Sequence, residues 1–386
     1  MIHPKQTSCK DTRAFSHSVL FLFRTQIYRL TQFLIGAELI TLSLFLISLF
    51  VPLPLSQHLP ENPFSVSSHT ATPSNTKDPS EPQKKFIRWV DFTVPNEALR
   101  QALRLDIDSY VSDCHLNWIE LLSYLAARYG GEFSRYQASD MEALAKKLQD
   151  GASMETLTEG MKYYPYYLEA YRAVLGGMVG TYEIQEADEN KELHWVHKYG
   201  LKAFSPIAKN FPYQDFDDFG VARSYGFKRQ HLGHDMMGQV GTPVIAVESG
   251  YVEAIGWNQY GGWRLGIRSF DKKRYYYYAH LRKNYPYHKS LKEGSIVQAG
   301  DVIGYLGRTG YSRTENTNNI DEPHLHFGIQ LIFDESQKDG NNEIWINCYE
   351  IVKFLQLNRS ETVKNQETKE YSRVLQMKDP AVSGGV

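Results

Sequence analysis

Residues 323–332 read PHLHFGIQLI, and this apolar and aromatic run is typical of a short β-strand. Residues i and i+2 of a strand project from the same face, so His324 and His326 are expected to lie side by side. The stretch therefore predicts a strand that presents two imidazoles to one side of a sheet.

Similar runs extend outward from this stretch across the C-terminal half of the chain. They are short, rich in β-branched and aromatic residues, and separated by Gly-rich turns, which is the pattern of antiparallel strands. The predicted strands are Pro243–Val247, Leu265–Ser269, Tyr275–Leu281, Val302–Leu306 and Leu325–Ile332. The sequence thus predicts an antiparallel all-β domain over residues 200–335.

A histidine and an aspartate lie close together in a second stretch, residues 229–235, which reads RQHLGHD. His231 and Asp235 bracket a glycine, which is expected to let the loop bend so that the two side chains converge. Neutral imidazoles and carboxylates are suitable zinc ligands, and a catalytic zinc site combines three protein ligands with one open position. A His-x-x-x-Asp spacing occurs often by chance, so this stretch alone predicts little.

A third stretch, residues 275–281, reads YYYYAHL and places His280 near the end of a strand. From there His280 can join His324 and His326. An isolated His-x-His is more often a pair on an exposed strand than a metal site. The joint presence of three such stretches in one β-domain, however, strongly favours a metal-dependent active site.

These residues resemble the lysostaphin-type family of zinc peptidoglycan endopeptidases. The family pattern is His-x-Gly-x-Asp, then a His-Leu that ends a tyrosine-bearing strand, then His-Leu-His-Phe. Two intervening stretches also resemble the family, GTPVIAVESGYVEAIGW at residues 241–257 and LKEGSIVQAGDVIGYLGRTG at residues 291–310. The resemblance covers roughly residues 200–332, about a third of the chain.

The resemblance implies His231, Asp235 and His326 as ligands of a zinc cofactor, with His280 and His324 as an uncoordinated catalytic pair. The implied activity is hydrolysis of peptide bonds of bacterial peptidoglycan by a metal-bound water, whose pKa zinc lowers to roughly 7. One histidine would accept the water proton and the other would stabilise the oxyanion. The alternative is a non-catalytic scaffold that binds the cell wall or regulates a partner hydrolase.

Two details of the motifs lie outside the implied site. His234 falls at a variable position of the family pattern and is not assigned a role. Residues 311–323 form a longer, polar insertion, YSRTENTNNIDEP, which is expected to lie on the rim of the cleft and to affect substrate specificity. A carboxylate from Asp321 or Glu322 near the metal stays open as an alternative to a solvated loop.

Residues 88–184 show a helical pattern. Trp118, Leu121, Leu122 and Leu125 recur at helical spacing before a Gly-Gly stop. Ser139 and Glu142 fit a capping box, and a third helix is predicted over Tyr163–Val179. His115 is isolated in this region. We expect a helical domain without a catalytic cluster, whose role and protein partners the sequence does not identify.

The N-terminal segment predicts a membrane anchor. Residues 33–55 are long and apolar enough to span a bilayer as a helix, and the segment before them is basic, which predicts a cytoplasmic N-terminus. A cleaved signal peptide is the weaker rival, because no small-x-small cleavage site follows the apolar run. Residues 56–87 are rich in Pro, Ser and Thr and predict a flexible linker.

The remaining expectations concern connections, cysteines and charge. His194 and His197 are expected on a solvated helical turn, and a Cys114–Cys348 disulfide is not the expected arrangement. A formal net charge of −2 gives no electrostatic case for a nucleic-acid partner. A short helix is predicted over Glu350–Leu357.

The predicted class is therefore a multidomain α+β protein, a single-pass protein of the cell membrane with its catalytic domain outside the cytoplasm. Its predicted segments are a cytoplasmic segment (1–32), a transmembrane anchor (33–55), a flexible linker (56–87), a helical domain (88–184), the β-rich zinc endopeptidase domain (200–335), a C-terminal extension (336–358) and a disordered polar tail (359–386).

Overall fold

The computed structural model describes residues 86–224 and 228–383. The predicted cytoplasmic segment, the anchor over residues 33–55, nearly all of the linker and Cys9 lie outside these ranges. Within them, none of the helices has the length and apolar character that a membrane crossing needs.

Five helices open the described part of the chain. They are α1 (Asn96–Ser109), α2 (Trp118–Tyr129), α3 (Ala138–Gln149), α4 (Met154–Thr158) and α5 (Tyr164–Leu175), with a 3-10 turn at Phe133–Arg135. Asn117 caps α2 by accepting hydrogen bonds from two backbone N–H groups of its first turn, and Gly130 ends it in the left-handed conformation. The predicted capping box is wrong, because α3 already begins before Ser139 and has no side-chain cap.

Seventeen strands and two short helices follow among the described residues. The strands are β1 (Val179–Ala187), β2 (Leu193–Leu201), β3 (Gln214–Asp215), β4 (Ala222–Ser224), β5 (Lys228–Gln230), β6 (His234–Met237), β7 (Pro243–Ile245), β8 (Gly250–Asn258), β9 (Gly262–Ser269), β10 (Arg274–Ala279), β11 (Ile296–Val297), β12 (Val302–Tyr305), β13 (His324–Leu331), β14 (Ile344–Ile346), β15 (Thr362–Lys364), β16 (Tyr371–Arg373) and β17 (Met377–Lys378). The helices are α6 (Tyr349–Leu355) and α7 (Pro380–Ser383), and a further 3-10 turn covers Glu335–Gln337.

An eight-stranded antiparallel sheet forms the centre of the C-terminal half. Its strand order is β11-β8-β9-β10-β13-β6-β3, with β14 pairing on β13. The alternating apolar residues of β13, Leu325, Phe327 and Ile329, are fully buried under this sheet. The prediction of an antiparallel β-domain is confirmed, and the strand that carries His324 and His326 lies inside the sheet.

The end of the predicted helical domain is different from the expectation. The helix predicted over Tyr163–Val179 is α5, which ends at Leu175. Val179 already begins β1, which pairs with β2 in a long hairpin. His194 and His197 therefore lie on a strand, and the predicted helical turn is wrong. A Cβ added at Gly177 would lie 1.5 Å from Glu248 Oε1, so the chain after α5 passes too close to the β-domain for a continuing helix with side chains.

The helices and the β-domain are not separate domains. All described residues fall within one compact unit, Phe64–Val386, and helix and strand residues share one buried apolar cluster. Trp118 of α2 stacks on Phe354 of α6, and Glu350 of α6 accepts a 2.7 Å hydrogen bond from the backbone N–H of Asn96. The helices bury their apolar faces against the C-terminal half, so the predicted boundary between the two is wrong.

The predicted disordered tail is also wrong for residues 359–383. Arg359 donates a 2.6 Å hydrogen bond to the carbonyl of Ala208, and Ser360 donates one of 2.7 Å to that of Gly300. Arg373 is buried and donates to Ala299 O at 2.7 Å. The segment is polar because its side chains satisfy buried backbone carbonyls, and polar composition therefore did not indicate disorder here.

Both cysteines of the described ranges, Cys114 and Cys348, are free. Cys348 is fully buried before α6, and burial raises the pKa of its thiol.

Candidate active site

The register between β6 and β13 brings the first two site residues together. Asp235 lies directly opposite His326 in this antiparallel pair, and His324 lies opposite Met237. Opposed residues of neighbouring strands project from the same face of a sheet, about 5 Å apart. Pairing along the backbone thus places the Asp235 carboxylate against the His326 ring, with His324 two residues along on the same face.

His231 completes a group of three from the segment just before β6. Its Nε2 lies 3.1 Å from Asp235 Oδ1 and 3.0 Å from His326 Nδ1, and His326 Nδ1 lies 2.8 Å from Asp235 Oδ1. These three residues are the group among the described ones whose ligand atoms could hold a metal ion. His231 and Asp235 are buried, and the His326 side chain is 17% exposed.

Gly233, between His231 and Asp235, has no room for a side chain, because the His326 ring lies against its backbone. A Cβ at this position would lie 2.5 Å from His326 Cε1 and 2.6 Å from His326 Nε2. Its backbone is not in the left-handed region, so the expected role in bending the loop is not the reason for the glycine. The missing side chain leaves room for the His326 ring beside the loop.

Two residues that the sequence analysis did not identify contact the His-Asp-His group and orient its side chains. Asp218 accepts a 3.0 Å hydrogen bond from His231 Nδ1, which directs the Nε2 lone pair of that ring toward Asp235 and His326. Arg223 pairs with Asp218 and lies with Nη1 2.8 Å from Asp235 Oδ2. Asp218 stands 13 positions before His231 in no recognisable motif, so no pattern in the sequence indicates either residue.

Asp235 is held as a carboxylate. Burial by itself raises its pKa, but the hydrogen bonds with His231 and His326 outweigh burial, so its pKa lies well below the ordinary value. Although Arg223 is near Oδ2, that contact lacks hydrogen-bond geometry, and Oδ2 has no hydrogen-bond partner among the described residues. Oδ2 is thus paired with the Arg223 charge but lacks a hydrogen bond, and a buried carboxylate oxygen in this state would be stabilised further by a bound cation.

The donor set therefore fits a metal ion. Nδ1 of His231 donates to Asp218, so Nε2, which lies 3.1 Å from Asp235 Oδ1, is the ring nitrogen that can bind a metal once it carries no proton. Without that proton, Nε2 and the anionic Oδ1 would repel each other at this distance unless a cation lay between them. Two imidazole nitrogens and a carboxylate are ligands that zinc takes in catalytic sites.

His280 lies beside this group at the end of β10. It has a positive φ of 61°, and its Nδ1 lies 2.9 Å from the carbonyl oxygen of Thr309. Its ring centroid is 4.8 Å from that of His324 and 5.9 Å from that of His326. Burial, together with the neighbouring imidazoles, lowers the pKa of His280 well below its ordinary value, so the ring is neutral at pH 7.

His324 is oriented in a similar way. Its Nδ1 lies 2.8 Å from the backbone carbonyl oxygen of Glu322, and its Nε2 lies 3.8 Å from Asp235 Oδ2. A carbonyl oxygen only accepts hydrogen bonds, so Nδ1 carries the hydrogen in both His280 and His324. In each ring, Nε2 is then the nitrogen that can accept a proton.

The structure separates the other histidines from the site. His234 projects to the opposite face of β6, donates toward Asp215 Oδ2 at 3.0 Å and packs against Tyr349. His115 lies in the helical region 2.9 Å from Asp106 Oδ1. Both side chains therefore lie away from the His-Asp-His group.

The insertion over residues 311–323 is tied to the β-domain by Asn316. Its Oδ1 accepts hydrogen bonds from Trp263 Nε1 at 2.9 Å and from the backbone N–H of Asn284 at 2.8 Å. Asp321 and Glu322 are exposed and do not belong to the metal-binding group of the described residues. The alternative that one of them adds a carboxylate ligand finds no support.

A buried His-Asp-His group beside two further imidazoles, on an antiparallel sheet, defines a class of proteins built to hold a metal ion next to groups that transfer protons. Residues 229–340 match the family model "Peptidase family M23". The chain is 40% identical over 124 residues to the L-Ala–D-Glu endopeptidase of Bacillus subtilis, covering 32% of this chain and 36% of that protein.

A second relative is the glycyl-glycine endopeptidase ALE-1 of Staphylococcus capitis, 39% identical over 148 residues, which cover 38% of this chain and 33% of that protein. The chain thus spans about a third of the length of these two curated relatives. The solved catalytic domain of lysostaphin from Staphylococcus simulans is 30% identical, with 36% of this chain and 92% of that chain covered and a TM-score of 0.28.

Residues 229–340 of this chain therefore match the lysostaphin-type peptidases of family M23. The resemblance found in its three histidine-bearing stretches is thereby confirmed.

Proposed function

We propose that this chain is a zinc-dependent endopeptidase that hydrolyses peptide bonds of bacterial peptidoglycan. The observation that carries the proposal is the convergence of His231, Asp235 and His326 around one point, with the imidazoles of His280 and His324 beside them. The relatives named above are endopeptidases of L-Ala–D-Glu and glycyl-glycine bonds. Both are bonds between residues without bulky apolar side chains.

His231, Asp235 and His326 would hold the zinc ion. When bound, zinc supplies a Lewis acid that polarises the scissile carbonyl and makes water a nucleophile at neutral pH. Asp218 keeps the His231 ring in the tautomer that offers Nε2 inward. The carboxylate of Asp235 contributes the negative charge of the site.

His280 and His324 would move the protons of the reaction. Each ring has its Nδ1 hydrogen engaged by a backbone carbonyl, which fixes the ring and leaves Nε2 as the acceptor. The low pKa of His280 keeps this acceptor unprotonated at pH 7. One ring accepts a proton from the attacking water, and the same or the other ring delivers it to the leaving amine.

The substitution His326→Ala tests this proposal. We expect the variant to lose stoichiometric zinc and to release no new amino groups from purified peptidoglycan, because a ligand is gone. The matched control is His194→Ala, since His194 is exposed on β2 and distant in the fold from the site. Mass spectrometry of the released fragments would identify the bond that is cleaved.

Two results would contradict the proposal. One is zinc-loaded wild-type protein that releases no amino groups from any peptidoglycan type. The other is a His326→Ala variant that keeps the biological role of the chain, as expected of a non-catalytic scaffold.

We also propose that residues 33–55 anchor the chain in the cell membrane with the peptidase domain outside the cytoplasm. The length and apolar character of that segment and the basic residues before it support this location. Recovery of the full-length chain in a salt-washed soluble fraction, rather than in detergent extracts of membranes, would contradict it.

A further inference from the structure

A second arginine lies beside the site and takes no part in the arrangement described so far. Arg229 is on β5 and lies directly opposite Arg223 of β4 in a short antiparallel pair. Opposed like charges in neighbouring strands destabilise a sheet. Arg223 is neutralised by Asp218 and Asp235, whereas Arg229 forms no ion pair with a carboxylate of the described residues.

The surroundings of Arg229 place it at the cleft. Its guanidinium lies 4.9 Å over the ring centroid of Tyr311, the first residue of the 311–323 insertion. The Tyr311 ring in turn stacks on His280 at 5.8 Å. A continuous run of rings thus connects the guanidinium to the imidazole pair. Asp235 and Tyr277 are among the groups that act electrostatically on Arg229, which puts it on the metal side of the cleft.

The guanidinium is half-buried and incompletely satisfied. Its Nε is buried and has no hydrogen-bond partner among the described residues. An arginine offers five N–H donors in a planar fork, and burying one of them without an acceptor costs free energy. An uncompensated cation with a free donor, beside an active site and opposite another arginine, is an arrangement that an anionic ligand would stabilise.

We infer that Arg229, braced by Tyr311, binds a carboxylate of the substrate close to the scissile bond. The inference rests on the proposed function and narrows its substrate class. Guanidinium and carboxylate form two parallel charge-assisted hydrogen bonds, a geometry that no neutral amide reproduces. A glutamate residue joined through one of its carboxyl groups keeps the other free, whereas a chain of glycines carries no such group. The site therefore selects acidic stem peptides over glycine cross-bridges.

The bracing by Tyr311 has a clear geometric basis. Tyr311 has a positive φ of 48°, follows Gly310 at φ 121°, and donates its backbone N–H to Tyr260 O at 3.2 Å. A Cβ at Gly310 would lie 2.4 Å from that same carbonyl oxygen and 3.1 Å from His280 Nδ1. The turn is thus pressed against His280, and the Tyr311 ring is held between His280 and Arg229. Stacking on an aromatic face fixes the plane of a guanidinium.

A pair of peptides tests this inference on the wild-type chain. Both contain an L-Ala–D-Glu bond, one with the free carboxylate on the glutamate and one with the corresponding carboxamide; pentaglycine is the third substrate. We expect kcat/KM and the affinity measured by calorimetry to be about 10- to 100-fold higher for the carboxylate than for the carboxamide, as for a charge-assisted pair.

Substitutions of Arg229 test whether this residue causes the preference for the carboxylate peptide. Arg229→Gln should remove the discrimination by weakening only the carboxylate peptide, while Arg229→Lys, which keeps the charge but loses the fork, should retain part of it. The matched control is Arg313→Gln, which removes the same charge from an exposed position of the loop that begins with Tyr311. This control should keep the full preference.

Measuring binding and cleavage separately distinguishes the role of Arg229 in substrate binding from the proposed endopeptidase activity. Equal binding of the carboxylate and the carboxamide by the wild-type chain overturns the assignment, as does an Arg229→Gln variant that weakens both peptides equally. If the carboxylate preference in binding is present but no peptide is cleaved, the proposed function fails and the assignment of Arg229 stands.

Discussion

At the scale of single residues, the metal-binding group is determined partly by residues that no motif contains. Asp218 is the main example, because its hydrogen bond with His231 Nδ1 selects the tautomer that can bind a metal through Nε2. The five residues predicted from the histidine-bearing stretches all lie at the site, as do the unpredicted Asp218 and Arg223. The sequence motifs contain the side chains that would bind the metal, whereas the residues that orient those side chains come from other parts of the chain.

Asp218→Asn should weaken zinc binding by roughly 10- to 100-fold while leaving the fold intact, since the amide is a poorer acceptor for the His231 N–H. Competitive titration against a chromogenic zinc chelator would measure the change. Asp217→Asn is the control, because the neighbouring Asp217 is exposed and bonds Asn347 instead. Identical zinc affinities in the two variants would mean that Asp218 does not orient His231.

At the scale of elements, one buried arginine connects the last turn of α5 to the central sheet. Arg274 of β10 donates to the carbonyl of Ala173 at 2.7 Å and, through Nε, to Glu248 Oε2 at 2.8 Å. The hydroxyl of Tyr276 donates to the same carboxylate at 2.6 Å. The last carbonyls of a helix have no partner within it, so Arg274 satisfies groups that α5 cannot satisfy itself.

Arg274→Met should destabilise the fold by about 3–5 kcal/mol, because it leaves the buried Glu248 charge and the helix carbonyl without their partner. Urea unfolding followed by circular dichroism would measure the free energy. Lys146→Met removes one partner of an exposed ion pair with Asp150 and should change stability far less. A similarly small effect of Arg274→Met would show that α5 and the sheet are joined by apolar packing alone.

At the scale of the whole molecule, the buried site makes the stability of the metal-free protein depend on pH. Burial lowers the pKa of His280 and His326 from the ordinary value of 6.5. Below pH 6.5 the unfolded chain therefore binds protons that the folded chain does not, and stability falls as the pH decreases. The depressed pKa of Asp235 acts in the same direction, but only below the ordinary carboxyl value of 3.8.

We expect the free energy of unfolding of chelator-treated protein to fall between pH 6.5 and 5 by about 1.4 kcal/mol per pH unit for each histidine that stays neutral. Urea titrations at several pH values would give this slope. The substitution His280→Asn should reduce the slope of unfolding free energy against pH by the contribution of one histidine, about 1.4 kcal/mol per pH unit. A stability that is flat from pH 8 to pH 5 would contradict the lowered pKa values.

The sequence by itself predicted the antiparallel β-domain, because strand alternation is a local constraint, and the resemblance of its three histidine-bearing stretches to a known family implied the five site residues. It did not reveal that the helices and the β-domain share one core, that residues 359–383 are ordered, or that Asp218 and Arg229 lie at the site. Those features depend on polar contacts between distant positions, such as Arg359 with Ala208 and Asp218 with His231. Such contacts have no periodicity, so only the register of β6 on β13 and the packing around it decided which polar groups meet.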